Sequence, residues 1–61
     1  MAYITYWFKD LNGRMLGYVM GYDRPNNKPD MLESFNVIND TNYKPNEVRM
    51  TRDKTNGKKW S

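Results

Sequence analysis

The feature that most constrains this chain is the pair Asn12-Gly13, which stands between two runs rich in aromatic and β-branched residues. Both central positions of a two-residue type I′ turn need positive φ, and Asn-Gly adopts such a turn most readily. The sequence therefore predicts a β-hairpin over residues 3–22 that is closed by a two-residue turn.

The register of this hairpin separates its side chains into two faces. With Leu11 opposite Arg14, Asp10 faces Met15, and every second residue along each strand shares a face. The first side, called the glycine face, is expected to hold Gly17 and Gly21 together with Ile4, Tyr6, Phe8, Met15 and Val19. The second side, called the aromatic face, is expected to hold Tyr3, Thr5, Trp7, Lys9, Leu16, Tyr18, Met20 and Tyr22, with Arg14 and Arg24 at its ends.

A short helix is predicted to cover the glycine face. Asp30 can cap this helix, and Glu33 three residues later completes a pair typical of a capping box. The apolar residues that follow recur at helical spacing and can pack where the glycines leave room. These residues are Met31, Leu32, Phe35 and Ile38.

The C-terminal third predicts further strands. Residues 47–52 alternate, with Val48 and Met50 on one side and Arg49 and Thr51 on the other, although a short helical turn capped by Asn46 is an alternative. A second Asn-Gly pair at 56–57 indicates either a short fourth strand or a frayed tail over residues 54–61. We therefore expect a single small α+β domain over residues 1–61, an antiparallel sheet with one short helix on one face.

The composition argues against catalysis and against a resident cofactor or metal. Among its 61 residues the chain has no His and no Cys, so it lacks the usual base of a nucleophilic triad and the commonest metal ligands. Its carboxylates suit turns and helix ends, and so small a chain cannot easily enclose a pocket. We expect no enzymatic activity, no cofactor and no metal site.

The N-terminus carries no sign of targeting to a membrane. Residues 2–8 form the first apolar stretch, which lacks a preceding basic region and is far shorter than the ~20 residues of a membrane span. The sequence therefore predicts a soluble cytoplasmic chain.

The aromatic face has the composition of a binding surface. Tyr, Trp, Met and Arg are enriched in the cores of protein interfaces. We expect a partner protein to bind through Tyr3, Trp7, Lys9, Arg14, Tyr18, Met20 and Tyr22. Two alternatives remain open: a homodimer through the same face, or a face that is simply packed under the C-terminal strand and Trp60.

A binding site for single-stranded nucleic acid is the alternative function. The formal net charge is +3, and basic residues are concentrated after residue 40. Bases can stack on exposed aromatic rings while cations follow the phosphates. The cations in question are Arg49, Arg52, Lys54, Lys58 and Lys59.

In its abundance of Asn, Lys, Tyr and Asp, this short chain resembles the small early proteins of bacteriophages with AT-rich genomes. The resemblance is one of composition and involves no motif. It implies a stoichiometric binder that inhibits or redirects a host macromolecule, which agrees with the absence of catalytic equipment.

Overall fold

The chain forms a three-stranded antiparallel sheet with one helix, as a computed structural model that describes residues 3–53 and 60 shows. The elements in chain order are β1 (Tyr3–Asp10), β2 (Met15–Tyr22), α1 (Lys28–Asn39), a 3₁₀ turn (Pro45–Glu47) and β3 (Val48–Asp53). The strand order is β2-β1-β3. The expected α+β fold is confirmed. The turn predicted at 56–57 lies outside the described residues, as does the tail over 54–61 except for Trp60.

The hairpin turn differs from the predicted type I′ turn. The backbone N–H of Asp10 donates to the carbonyl of Arg14 at 2.9 Å, and the N–H of Gly13 donates to the carbonyl of Asp10 at 3.1 Å. Gly13 has a positive φ of 87°, whereas Asn12 does not have a positive φ. The loop therefore holds three residues, with Gly13 in the left-handed position. The Asp10 carboxylate favours this wider loop because it accepts the N–H groups of Asn12 and Arg14, each at 2.9 Å.

A β-bulge next to the turn restores the predicted register farther along the hairpin. Pairing from Tyr3–Tyr22 to Phe8–Gly17 is as expected, but Lys9 pairs with Met15 instead of Leu16. Leu16 is the extra residue of the bulge, so the predicted pairing of Asp10 with Met15 is wrong. Met15 and Leu16 exchange sides as a result: Met15 is 51% exposed, and Leu16 packs against the core.

Helix α1 packs on the glycine face, as predicted. A Cβ atom added to Gly17 would lie 3.0 Å from Cε1 of Phe35, and one added to Gly21 would collide with Sδ of Met31. The two glycines therefore allow the helix to approach β2 closely. This contact closes the core, which consists of Tyr6, Phe8, Val19, Leu32, Phe35, Val48 and Met50.

The helix begins earlier than the capping pattern predicts. Asn27 is the N-cap residue, and Asp30 lies inside the first turn, so the assignment of Asp30 as the cap is wrong. Pro29 fits this first turn because its missing N–H would have no intrahelical partner there. The buried side chain of Asn27 makes no cap hydrogen bond but donates to the hydroxyl of Tyr6 at 2.8 Å. That hydroxyl donates in turn to the carbonyl of Tyr22 at 2.7 Å.

The prediction that Ile38 belongs to the core is wrong, because Ile38 is 69% exposed. Asn36, on the side of the helix opposite Ile38, is bound to the loop that follows the helix. Its Nδ2 donates to the carbonyl of Tyr43 at 3.0 Å, and its Oδ1 accepts the N–H of Tyr43 at 3.1 Å. The buried side of the helix is therefore centred on Leu32 and Phe35, and Ile38 lies at its margin.

Strand β3 completes the sheet as predicted, with Val48 and Met50 in the core. The alternative of a helical turn capped by Asn46 is wrong: a 3₁₀ turn forms just before the strand, over Pro45–Glu47, but its N-cap residue is Lys44 and Asn46 lies inside it. The ammonium of Lys28 donates to the carbonyl of Val48 at 2.9 Å and so links α1 to β3. Burial, together with the nearby charge of Arg49, lowers the pKa of Lys28 from its ordinary value.

We predict that Gly17→Ala lowers the free energy of unfolding more than Gly13→Ala. Gly17 has φ +148°, a conformation whose strain costs other residues roughly 1–3 kcal/mol, and its new Cβ would press on Phe35. Gly13 has φ +87° but nothing within 4 Å of its added Cβ, so it serves as a control for strain alone. Urea denaturation followed by circular dichroism measures both. Equal losses would contradict the close helix contact.

We also predict that Tyr6→Phe destabilises the fold by about 1–3 kcal/mol, since a buried Asn27 amide loses a hydrogen-bond partner. Tyr18→Phe, which removes the same hydroxyl from an exposed ring, should change the free energy of unfolding by less than about 0.5 kcal/mol. Thermal and urea unfolding of the two variants gives the comparison. If Tyr6→Phe proved as mild as Tyr18→Phe, the buried hydrogen-bond network would not hold the helix start.

Candidate protein-binding surface

The helix covers one side of the sheet, and the aromatic face lies on the other. Tyr18 is 56% exposed and Tyr3 is 58% exposed. The large side chains exposed along this face are Tyr3, Met15, Tyr18, Met20 and Tyr22. Four of these five belong to β2, so the accessible part of the face lies mainly along that strand.

Cross-strand contacts order the rings of the aromatic face. The ring centroids of Tyr3 and Tyr22 are 4.6 Å apart with perpendicular planes, and those of Trp7 and Tyr18 are 4.9 Å apart with planes tilted by 47°. Such pairs fix rotamers before any partner arrives, which lowers the entropy that docking would cost. Trp7 lies on the central strand and is half-buried, whereas Tyr18 on β2 is exposed.

The side of the face along β3 is closed. Thr51 pairs with Trp7 on one side and forms an isolated antiparallel bridge with Trp60 on the other. Thr51 is only 3% exposed. The alternative from the sequence, a face simply packed under the C-terminal strand and Trp60, is wrong for most of the face: β3 lies beside β1 in the sheet, and the part of the face along β2 stays open. Only the surroundings of Thr51 and Lys9 are covered near Trp60.

Positive charges border the aromatic face. Lys9 places its Nζ 4.3 Å from the centroid of the Trp60 ring, a cation-π contact. The guanidinium carbon of Arg24 lies 5.8 Å from the centroid of the Tyr22 ring. Arg49 pairs with Lys9 across β1 and β3 and is exposed.

Six of the seven residues predicted to bind a partner come together on this face: Tyr3, Trp7, Lys9, Tyr18, Met20 and Tyr22. Arg14 does not join them. It lies exposed beyond the turn, and its backbone pairs with Asp10, a position in register with the glycine face. The sequence missed Met15, which reaches the aromatic face through the bulge. The signal that could have revealed it is the Asp10 carboxylate, which widens the turn.

The residues of the predicted nucleic-acid site do not share one surface. Arg49 lies on the aromatic face, but Arg52 occupies a position opposite Tyr6, in register with the glycine face. The guanidinium of Arg52 pairs with the Asp23 carboxylate and donates to the carbonyl of Arg24 at 2.8 Å. The remaining members, Lys54, Lys58 and Lys59, lie outside the described residues.

Residues 3–53 and 60 contain no group of three or more carboxylates that could hold a metal ion. Within the same residues, no helix is both long and apolar enough to cross a membrane.

Searches against protein-family models, curated proteins and solved structures find no match for this chain.

Proposed function

We propose that this chain is a non-enzymatic protein that binds a partner protein through its aromatic face. The observation that carries the proposal is the row of exposed aromatic and Met side chains along β2, together with Tyr3 at the start of β1. Contiguous apolar surface of this kind on a small soluble domain is typical of a contact site. Its residue types are those enriched in interface cores.

The size of the chain is compatible with such an interface. A stable contact buries about 800 Å² of each partner. The accessible surface of this chain is 4533 Å². An interface of that size would take less than about a fifth of this surface, and the paired rings of Trp7 and Tyr18 would form its centre.

The border of the face indicates the chemistry of the partner. Lys9 and Arg49 together, and Arg24 beside Tyr22, place positive charge at two points on the border of the apolar side chains. A complementary partner would present an apolar patch edged by carboxylates, because opposite charges at the rim speed association and select orientation. We infer an apolar surface with an acidic border as the docking site.

A domain that presents a surface can inhibit by occlusion. Bound to such a patch, the chain would cover a functional site of its partner or block a further contact. The phage-like composition supports a host protein as the target and the host cytoplasm as the place of action. We therefore propose a stoichiometric inhibitor or modulator of a host protein.

The central prediction is that Tyr18→Ala weakens partner binding by about 30-fold or more, the effect of removing an interface anchor. Tyr18 is 56% exposed, so we expect a loss of only about 1 kcal/mol in the free energy of unfolding, mainly from its contact with Trp7. Trp7 is a poorer probe, because it lies half-buried on the central strand.

The measurement is affinity capture from nuclease-treated host lysate, followed by titration of the purified partner. Val37→Ala is the matched control, since Val37 is 77% exposed on the helix, away from the aromatic face. We expect Val37→Ala to bind as the original chain does. A partner that binds Tyr18→Ala as tightly as it binds Val37→Ala would refute the proposed surface.

Binding of single-stranded nucleic acid is the second candidate, favoured by the register that sets Arg49 beside Lys9 on a face with stacked rings. Here we predict that binding to an oligonucleotide falls steeply as salt rises from 50 to 200 mM, as counterion release requires. Arg49→Gln should flatten that slope, while Arg52→Gln, on the other side of the sheet, should not. Fluorescence anisotropy measures both, and the absence of binding at low salt would exclude this candidate.

A further inference from the structure

A groove on the helix side of the domain lies between α1 and the loop that leads to β3. It encloses about 450 Å³, within the range of roughly 300–1,000 Å³ that is typical of ligand sites. One stripe of the helix forms its first wall, and residues of the loop over 41–45 form the second. The lining side chains that matter most here are Leu32, Glu33, Val37, Asp40, Tyr43 and Pro45.

Hydrogen bonds from Asn36 hold the two walls of the groove together. Its side chain binds both the N–H and the carbonyl of Tyr43, and its Oδ1 accepts the hydroxyl of Thr41 at 2.8 Å. Its backbone carbonyl accepts the N–H groups of Asp40 and Thr41. The groove is therefore formed before any ligand arrives, which lowers the entropy that binding would cost.

Part of the lining is apolar. Leu32 is only 2% exposed, and the half-buried ring of Tyr43 has its centroid 6.4 Å from that of Phe35 in the core. Val37, on the helix wall, is 77% exposed. The aliphatic stem of a long side chain can lie along such a lining while its charged end stays near water.

The charged end that fits this groove is a cation. Glu33 and Asp40 both line it and are exposed, and among the described residues neither carboxylate has a hydrogen-bond or ion-pair partner. The last turn of α1 carries no basic residue to offset the partial negative charge of the helix C-terminus. Two carboxylates and the helix end therefore all favour positive charge in the groove.

The groove is an acidic site on a basic chain. Residues 29–43 hold three acidic residues and no basic one, although the formal net charge of the chain is +3. The ammonium of Lys28, just before this stretch, is bound to the carbonyl of Val48 at 2.9 Å. Lys44 adjoins Tyr43 in sequence but does not line the groove. The groove is thus opposite in sign to the border of the aromatic face.

We propose that this groove binds an extended basic segment of a second protein, in which two Lys or Arg residues are separated by one residue. Side chains two residues apart in an extended segment point the same way and lie about 7 Å apart. Glu33 and Asp40 are about 10 Å apart along the helix axis, a difference that flexible basic side chains can span. One cation would pair with each carboxylate, and their stems would lie against Val37 and Tyr43.

The groove and the aromatic face lie on opposite sides of the sheet, so both can be occupied at once. The inference therefore goes beyond the proposed function and does not depend on it. A chain with two such sites would bring a basic segment of one protein next to another protein that is bound at the aromatic face.

The test is an NMR titration of the isotope-labelled full chain with acetyl-Arg-Ala-Arg-amide in about 0.15 M salt. We expect a dissociation constant in the millimolar range and changes in amide signals confined to residues 33–43. A peptide with citrulline in place of both arginines has nearly the same shape without the charge. It should bind at least about 5-fold more weakly, because two exposed ion pairs are lost.

Asp40→Asn should weaken binding of the arginine peptide by at least about 3-fold, the effect of losing one exposed ion pair. Asn readily adopts the left-handed conformation of Asp40, so the helix end is kept. Asp30→Asn is the matched control, the same substitution at an exposed position of α1 outside the groove. It should bind the peptide as the original chain does. Circular dichroism checks that both variants are folded.

Signals that do not move at about 10 mM arginine peptide would overturn the inference. It is also overturned if the citrulline peptide binds equally well, which would make the groove an apolar site, or if Asp40→Asn binds as tightly as Asp30→Asn. Signal changes at Trp7 and Tyr18 instead would place the peptide on the aromatic face. Tyr18→Ala should leave peptide binding unchanged, so the failure of one proposal is distinguishable from the failure of the other.

Discussion

The contact between α1 and the two glycines of β2 is the constraint on which the rest of this small fold depends. A Cβ at Gly17 would meet the ring of Phe35, so the helix packs closely only because the strand has no side chain there. This close approach seals Tyr6 and Phe8 completely from solvent. The single helix covers one side of the sheet, and on the opposite side the large side chains along β2 stay exposed.

The hairpin was largely predictable, because strand alternation and the Asn-Gly pair are local signals. The wider turn was not, since the predicted geometry treats Asp10 as an ordinary strand residue, whereas its carboxylate accepts two backbone N–H groups. The resulting bulge exchanges Met15 and Leu16 between faces. One carboxylate thus changed two members of the candidate site, since Met15 joined it and Arg14 left it.

Tertiary contacts explain what the sequence could not reveal about the helix and about the border of the site. The amide of Asn27 is drawn to Tyr6, 21 residues away, and the helix begins beside it instead of at the capping pair. The neighbours of Lys9 depend in the same way on how β3 pairs with β1, which brings Arg49 to the aromatic face. Alternation along the two hairpin strands could assign Trp7 and Tyr18 to the aromatic face, but it could not show which residues of β3 would lie beside them.

Folding constrains the residue types on one side of β2 but not on the other. On the helix side, Gly17, Val19 and Gly21 lie against α1 or in the core, and a charge there would be buried without a partner. On the aromatic side the fold makes no such demand. Its exposed positions are Met15, Tyr18, Met20 and Tyr22, and a charged side chain at any of them would stay in contact with water. Tyr18 and Tyr22 also make ring contacts with Trp7 and Tyr3, whereas no ring contact within the described part of the chain involves Met15 or Met20. Packing within the domain therefore does not account for the uncharged side chains at Met15 and Met20, and the proposed contact with another molecule would account for them.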